Sequence, residues 1–407
     1  MSSMPMMWEW VSFAVRWLHV ITGIAWIGSS FYFIALDLGL RGRAGMPNGV
    51  HGEAWQVHGG GFYHIQKYMI APEAMPDRLT WFKWESYATW LSGFALLVIV
   101  YYVGADLYLV DRTVLDIPSS AAIAISLASI GLGWLMYDTL CKSALGTDNT
   151  RLMLLLYAIL VVMAWGYAQV FSGRAALLHL GAFTATIMSA NVFFIIIPNQ
   201  KIVVADLKAG RTPAAGLGLM AKQRSIHNNY LTLPVLFLML SNHYPLAFAT
   251  EYNWLIAALV FLMGVTIRHF FNTLHATGQQ LWWTWGATAA LFLAITGLST
   301  VPREMPAEDP SRLTPLEQRL ATAPEFEDVQ LTMLGRCAMC HAAEPFWDGI
   351  AVAPKGVMLD TDAAILAHAR EIYLQAGRSH AMPPGNLTYM EAPERQAIVT
   401  WYENATR

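Results

Sequence analysis

Charge is what this sequence has least of. Only 13% of its 407 residues are Asp, Glu, Lys or Arg, against 56% hydrophobic residues. That balance excludes a soluble globular protein over most of the length. A formal net charge of −3 gives no basic surface for nucleic acid, so no nucleic-acid partner is expected. Cysteine is scarce too. There are 3, which excludes a disulfide framework. Met1 to Trp10 contains no basic residue and no small-residue cleavage pattern. The first apolar run is therefore expected to stay as a membrane anchor.

Two of the three cysteines stand together in Cys337-Ala338-Met339-Cys340-His341. This is the attachment pattern of a c-type haem. Both thiols sit on one turn and reach the two vinyl groups of one porphyrin, and the adjacent imidazole of His341 becomes an axial iron ligand. The second axial ligand is expected from Met382, which two prolines follow in Ala381-Met382-Pro383-Pro384. Prolines hold that backbone rigid and extended. Met358 and Met390 are the rivals. Phe326 to Arg407 resembles a class I cytochrome c, with a helix leading into the motif and a last helix opened by Pro393 and Glu394. Covalent haem c is attached outside the bacterial cytoplasmic membrane, so this part is expected in the periplasm.

The preceding chain holds eight apolar runs, about Val11–Leu38, Tyr87–Tyr108, Ser119–Leu140, Leu152–Phe171, Ala175–Ile197, Asn229–Tyr244, Asn253–Phe270 and Trp282–Val301. Each approaches the length that spans a hydrocarbon core of roughly 30 Å. The loops after the first and fifth runs carry Arg41, Arg43, Lys67, Arg78 and Lys83, and Lys201, Lys208, Arg211, Lys222 and Arg224. The positive-inside rule puts these loops in the cytoplasm and both termini outside. The expected fold is all-α: an eight-helix transmembrane bundle over residues 1–301, a linker over 302–325 and a cytochrome c domain over 326–407. The setting is a bacterial inner membrane, with the lipid bilayer as a partner.

Ionisable groups inside a membrane are functional candidates. His19 and His179 begin the first and fifth runs in a weak repeat, Leu18-His19 and Leu178-His179. Two neutral imidazoles from different helices could hold a haem b; the alternative is a packing role between helices. His227-Asn228-Asn229 opens the sixth run. Asn offers both donors and acceptors to a polar ring, and it also caps helices. Glu85, Asp138, Asn191, His269 and Asn272 are further polar residues near helix ends. His51, His243, His275, His368 and His380 are expected at the surface.

Three stretches carry a resemblance. They are Trp17-Leu18-His19-Val20-Ile21-Thr22-Gly23, Trp55-Gln56-Val57-His58-Gly59-Gly60-Gly61-Phe62-Tyr63-His64, and His227-Asn228-Asn229-Tyr230-Leu231-Thr232-Leu233-Pro234. With the domain order, they make the chain similar to the bacterial membrane-bound urate oxidases that carry a C-terminal cytochrome c. The resemblance implies oxidation of urate to 5-hydroxyisourate in purine breakdown. Electrons would pass to the fused cytochrome and then to a respiratory cytochrome c oxidase or another cytochrome c. In that light the Trp55–His64 segment reads as a cytoplasmic hairpin. Phe62 could stack on a purine there, and His58 and His64 could meet its polar edge; the alternative is a solvated turn. Catalytic candidates are then His58, His64, His227, Asn228 and Asn229. A respiratory quinol-oxidising or electron-transfer subunit is the alternative function, marked by haem reduction with quinol and not with urate.

Overall fold

The computed structural model describes residues 4–72, 75–301, 313–350 and 352–406. It is mostly helical, and each of the eight apolar runs falls on helix. They are α1 (Met4–Gly39), α2 (Trp84–Leu97) with α3 (Ala105–Tyr108), α4 (Ser119–Lys142), α5 (Asn149–Ala168), α6 (Gly173–Ala190) running on into α7 (Ile197–Lys208), α8 (Ala215–Leu240), α10 (Asn253–Thr277) and α11 (Trp283–Ser299). The short α9 (Pro245–Phe248) lies between α8 and α10. Among the described residues five helices are long and apolar enough to cross a membrane: Met7–Gly39, Ser119–Lys142, Asn149–Ala168, Gly173–Lys208 and Asn253–Thr277. Trp283–Ser299 is apolar but shorter.

Local chemistry sets the helix ends. Asp148 caps α5 by accepting from Thr150 and Arg151. Ser172 caps α6 through Ala175 N–H, and its hydroxyl donates to Tyr108 O at 2.7 Å, which ties α3 to α6. Gly278 ends α10 at φ 77°, a left-handed conformation that costs glycine nothing. Small residues let helices approach closely. A Cβ on Gly133 would fall 2.1 Å from Phe183, and one on Gly264 would fall 2.5 Å from Pro234. Leu156, Leu160 and Ala164 of α5 share one face, at i, i+4 spacing, and pack into the core with Phe183 and Leu180 of α6.

The fold is mostly helical, and the expected hairpin is present: β1 (Val50–His58) and β2 (Gly61–Tyr68) form a two-stranded antiparallel sheet. Gly59 and Gly60 make its turn at φ 59° and 79°, the positive angles a two-residue hairpin requires. The hairpin folds back along α1, with Arg41 and Glu53 exchanging backbone bonds at 3.0 Å and Tyr32 OH donating to Gln56 at 2.7 Å. One expectation needs correction. The sixth helix starts well before its apolar run. His227, Asn228 and Asn229 sit mid-helix and buried, so none of them caps α8.

The C-terminal unit has its own core. α12 (Pro315–Ala321), α13 (Phe326–Thr332), α14 (Asp362–Ala367), α15 (Ala369–Ile372) and α16 (Ala392–Ala405) enclose Val329, Met333, Ile365, Ile398 and Trp401. α12 lies inside the expected linker. Thr314 and Glu317 form a capping box for it, and Trp401 Nε1 donates to Leu320 O at 2.9 Å. Residues 313–325 therefore pack with the C-terminal unit, and 302–312 lie outside the described residues. The unit rests on one end of the helical bundle. Arg370 pairs with Glu9 at 3.0 Å, Tyr108 OH donates to Glu371 at 2.7 Å, and Gly356 meets the ring of Phe248.

Candidate active site and haem-motif segment

Polar groups buried in an apolar bundle must satisfy one another or a ligand. One such cluster joins α4, α6 and α8. Asp138 accepts from Arg224 at 2.8 Å and from Lys142 at 2.6 Å. Arg224 also donates to Asn191 Oδ1 at 3.4 Å. A guanidinium cannot accept, so this contact fixes the Asn191 amide. Asn191 Nδ2 then donates to Tyr137 OH at 3.2 Å and to Asn228 Oδ1 at 3.1 Å. Asn228 Nδ2 donates to Met188 O at 2.9 Å. Tyr137 OH and His227 Nδ1 share a 2.8 Å hydrogen bond. What is left over defines the site. His227 Nε2 and Trp134 Nε1 are buried with no partner. Trp134 packs on Phe194 with ring centroids 4.7 Å apart.

The backbone marks the same place. α6 becomes π-helical over Asn191–Ile196. Such turns add a residue to the helix and re-aim its face, and they recur at functional sites. Here the turn begins at Asn191, the residue that joins three helices.

Asn229 points the other way, since two residues along a helix is about 200° of rotation. Its Oδ1 accepts from Arg268 Nε at 3.2 Å and from Asn272 at 2.9 Å, and Arg268 also donates to Asn272 at 3.0 Å. Arg268 lies over the Phe31 ring at 4.1 Å and is 6% exposed. Among the described residues no carboxylate pairs with it. A buried cation without a counter-ion favours an anion nearby. Asn229 Nδ2 is also unpartnered.

The hairpin histidines stand apart from this cluster. His64 is held between Glu53, at 2.8 Å, and the ring of Trp55, stacked at 4.1 Å. Hydrogen bonds from Arg43 first, and then from His64, pull the Glu53 carboxyl down to about 2. His58 is exposed beside the Gly59–Gly60 turn, and Phe62 is 80% exposed.

At the other end of the bundle His19 Nδ1 donates to Thr89 O at 3.0 Å, and its ring covers Gly93. His179 is fully buried. Its Nδ1 donates to Ala175 O at 2.8 Å, and Tyr101, Tyr167 and Phe171 surround it. Both rings thus hold Nδ1 on a backbone carbonyl, and His179 Nε2 is buried without a partner.

The haem-motif segment is a tight turn. Cys340 N and His341 N both donate to Cys337 O, at 3.1 and 2.9 Å, and neither Cys337 nor Cys340 is in a disulfide. His341 Nδ1 donates to Val357 O at 2.8 Å. That bond puts the ring proton on Nδ1 and leaves the Nε2 lone pair free, as an iron ligand requires. Arg395 holds the Met382 carbonyl at 2.9 Å and that of Ala376 at 2.7 Å, fixing the segment behind the thioether. Met382 is half-buried, whereas Met390 is 3% exposed and fills the core. The two thiols, the imidazole and the thioether are the donor set of a covalent haem c, and these residues fit one.

Several residues here escape sequence inspection. Tyr137 and Trp134 look like ordinary apolar residues of a span, and Arg224 and Arg268 look like loop charges. Arg224 had one usable signal: it lies three residues before His227, on one helical face. His368, expected at the surface, has a buried, unpartnered Nδ1. Burial first, then the nearby His341 and Arg174, bring its pKa down to about 4.

Among the described residues the helical domain holds five helices long and apolar enough to cross a membrane, and it is built around a buried His–Tyr–Asn–Arg cluster. The chain belongs to the urate oxidase N-terminal family, whose model matches residues 5–299. That membership makes it a urate oxidase-like oxidoreductase. The match stops short of the haem-motif segment. Among curated proteins and solved structures none matches.

Proposed function

We propose that this protein is a membrane urate oxidase, which converts urate to 5-hydroxyisourate and passes the electrons to a haem c on its own C-terminal unit. The reading has eight transmembrane helices, a cytoplasmic hairpin and a periplasmic C-terminal unit. A respiratory cytochrome c oxidase or another cytochrome c takes the electrons onward. The observation that carries it is the unpartnered His227 Nε2, buried in a polar cluster of a chain that belongs to the urate oxidase family.

The reaction balances as urate monoanion plus water giving 5-hydroxyisourate, one proton and two electrons. The basic cytoplasmic loops attract a cytosolic anion, and the unpaired Arg268 favours negative charge at that end of the bundle. His227 takes a proton at Nε2 while its Nδ1–H donates to the Tyr137 oxygen. An imidazole suits proton transfer near neutral pH. Asn191 and Arg224 keep Tyr137 in place. Trp134 and Phe194 offer aromatic faces, and the Trp134 N–H is a free donor for a substrate carbonyl. When bound, haem c would supply a one-electron acceptor, held by Cys337, Cys340, His341 and Met382.

The test is anaerobic addition of urate to the purified full-length protein, following the reduced haem c band. The expected result is reduction by urate. A band unmoved by urate yet raised by dithionite would overturn the reading, and reduction by quinol alone would favour the electron-transfer subunit.

A further inference from the structure

The end of the C-terminal unit that carries the haem motif faces the helical bundle. The contacts form a short chain. His341 donates to Val357 O at 2.8 Å. Gly356, the residue before, has its Cα against the Phe248 ring: an added Cβ would sit 3.1 Å from it. Lys355, one residue earlier, lies close enough to His243 to act on it electrostatically, and so do Arg16 and Arg174. His368 lies in the field of both His341 and Arg174. Arg16 and Arg174 of the bundle and Lys355 of the C-terminal unit therefore place positive charge around His243, and Arg174 also acts at His368 beside His341.

Arg174 is the central one. Its guanidinium lies 5.1 Å over the Tyr108 ring, whose hydroxyl donates to Glu371 of the C-terminal unit. Its Nε is buried and has no partner. Beneath it the Tyr101 hydroxyl, on a residue 2% exposed, is also unpartnered. Among the described residues Arg16, Arg174 and Lys355 form no ion pair with a carboxylate. Of the carboxylates nearby, Glu9 pairs with Arg370, and Glu371 Oε1 takes the Tyr108 hydroxyl and lies 3.8 Å from Arg370, while Glu371 Oε2 is buried without a partner. The unsatisfied buried N–H of Arg174 calls for an acceptor, and the exposed Arg16 and Lys355 add positive charge around it. A haem attached through Cys337 and Cys340 would carry two carboxylates, its propionates.

We propose that Arg174, with Arg16 and Lys355 around it, is the counter-charge for the propionates of the haem that Cys337, Cys340 and His341 hold. The bundle and the C-terminal unit then close one cofactor pocket between them. This rests on the haem c reading above. It adds a positioning role for Arg174, and it makes docking of the tethered unit part of haem binding and tuning. The physical consequence has a definite sign. A cation beside a propionate favours the reduced haem, which carries one less positive charge than the oxidised form. Removing it stabilises the oxidised form and lowers the midpoint potential. It also raises the propionate pKa toward neutral pH, so the potential becomes pH-dependent there.

The experiment uses the full-length protein in lipid nanodiscs. Covalent haem is confirmed first, by pyridine haemochrome analysis. Spectroelectrochemical titration then compares the parent with Arg174→Gln and Arg174→Lys between pH 6 and 8 (roughly, the range in which a raised propionate pKa would show). The expected result is a lower potential in Arg174→Gln, with a pH slope the parent lacks, and a near-parental titration in Arg174→Lys. Arg174→Gln titrations that superimpose on the parent, with haem c intact, overturn the proposal and leave the function untouched. If Arg174→Gln does not fold, the paired variant Arg16→Gln, Lys355→Gln is expected to shift in the same direction, and an unchanged potential there overturns the proposal equally. A parent without covalent haem overturns the function it rests on and this proposal with it.

Discussion

Pro234 in α8 stands directly against Gly264 in α10. A Cβ on Gly264 would come within 2.5 Å of the Pro234 ring. The proline leaves one backbone carbonyl of its helix without the usual N–H partner. The glycine lets the neighbouring helix close over that gap. Gly264→Val is expected to destabilise by about 1–3 kcal/mol, through overpacking. Thermal unfolding in detergent should show a lowered midpoint, and an unchanged midpoint would mean that the helices have room to separate.

The buried His227 cluster, under the proposed function, gives a graded expectation. His227→Ala should slow urate-driven haem reduction by about two orders of magnitude or more, the usual scale for a positioned base. Tyr137→Phe should slow it less, because the imidazole remains and only its orientation is lost. Both variants should keep haem that dithionite reduces. Full urate activity in His227→Ala would remove this histidine from the chemistry.

The hairpin should respond to acid. Glu53 has its folded pKa depressed to about 2, by Arg43 first and then His64. A depressed carboxyl contributes stability that is present above its unfolded pKa of roughly 4.5 and is lost as pH falls through the folded value. Amide protection factors over residues 50–68, taken against the intrinsic rate at each pH, should therefore stay high from neutral pH to about 5 and fall as the pH is taken toward 2. Glu53→Gln should show low protection throughout. Equal protection in parent and variant at neutral pH would rule out Glu53 as the hairpin's clamp.

Under the proposed haem c, the four donor residues separate by role. Replacing Cys337 or Cys340 should weaken or abolish haem staining on a denaturing gel. His341→Ala should keep the stain and lose the normal spectrum. Met382→Ala should keep the c-type band at a lower potential, since loss of the thioether removes what raises it. An unaltered spectrum in His341→Ala would sink the axial assignment.

Much of this architecture is legible in the sequence, because hydrophobic length is a direct consequence of bilayer thickness. The eight apolar runs locate helices, and the thiol spacing locates the haem-motif turn. The hairpin was also legible, from its glycine turn and alternating apolar residues. The candidate site was half legible. His227 and Asn228 stand out as polar residues near a span, but their partners Tyr137 and Asn191 come from helices far away in sequence. No local pattern announces a contact between positions 137 and 227. Asn229 shows the limit from the other side. It is adjacent to Asn228 in sequence, yet it faces a separate helix pair, because helical rotation separates neighbours. His368 looked like a surface residue because its burial comes from tertiary packing.

α6 also has an electrical consequence. Arg174 and Asn191 stand near its two ends, roughly 25 Å apart at 1.5 Å per residue. An electron leaving the His227 cluster for the C-terminal unit would move that distance along the bundle, from the inner to the outer face in the proposed orientation. A respiring bacterium keeps its interior negative, so the field pushes the electron outward. The work is about 2.3 kcal/mol per electron for each 100 mV across the full membrane. Turnover would then draw on the membrane voltage and discharge part of it, two charges for each substrate molecule oxidised.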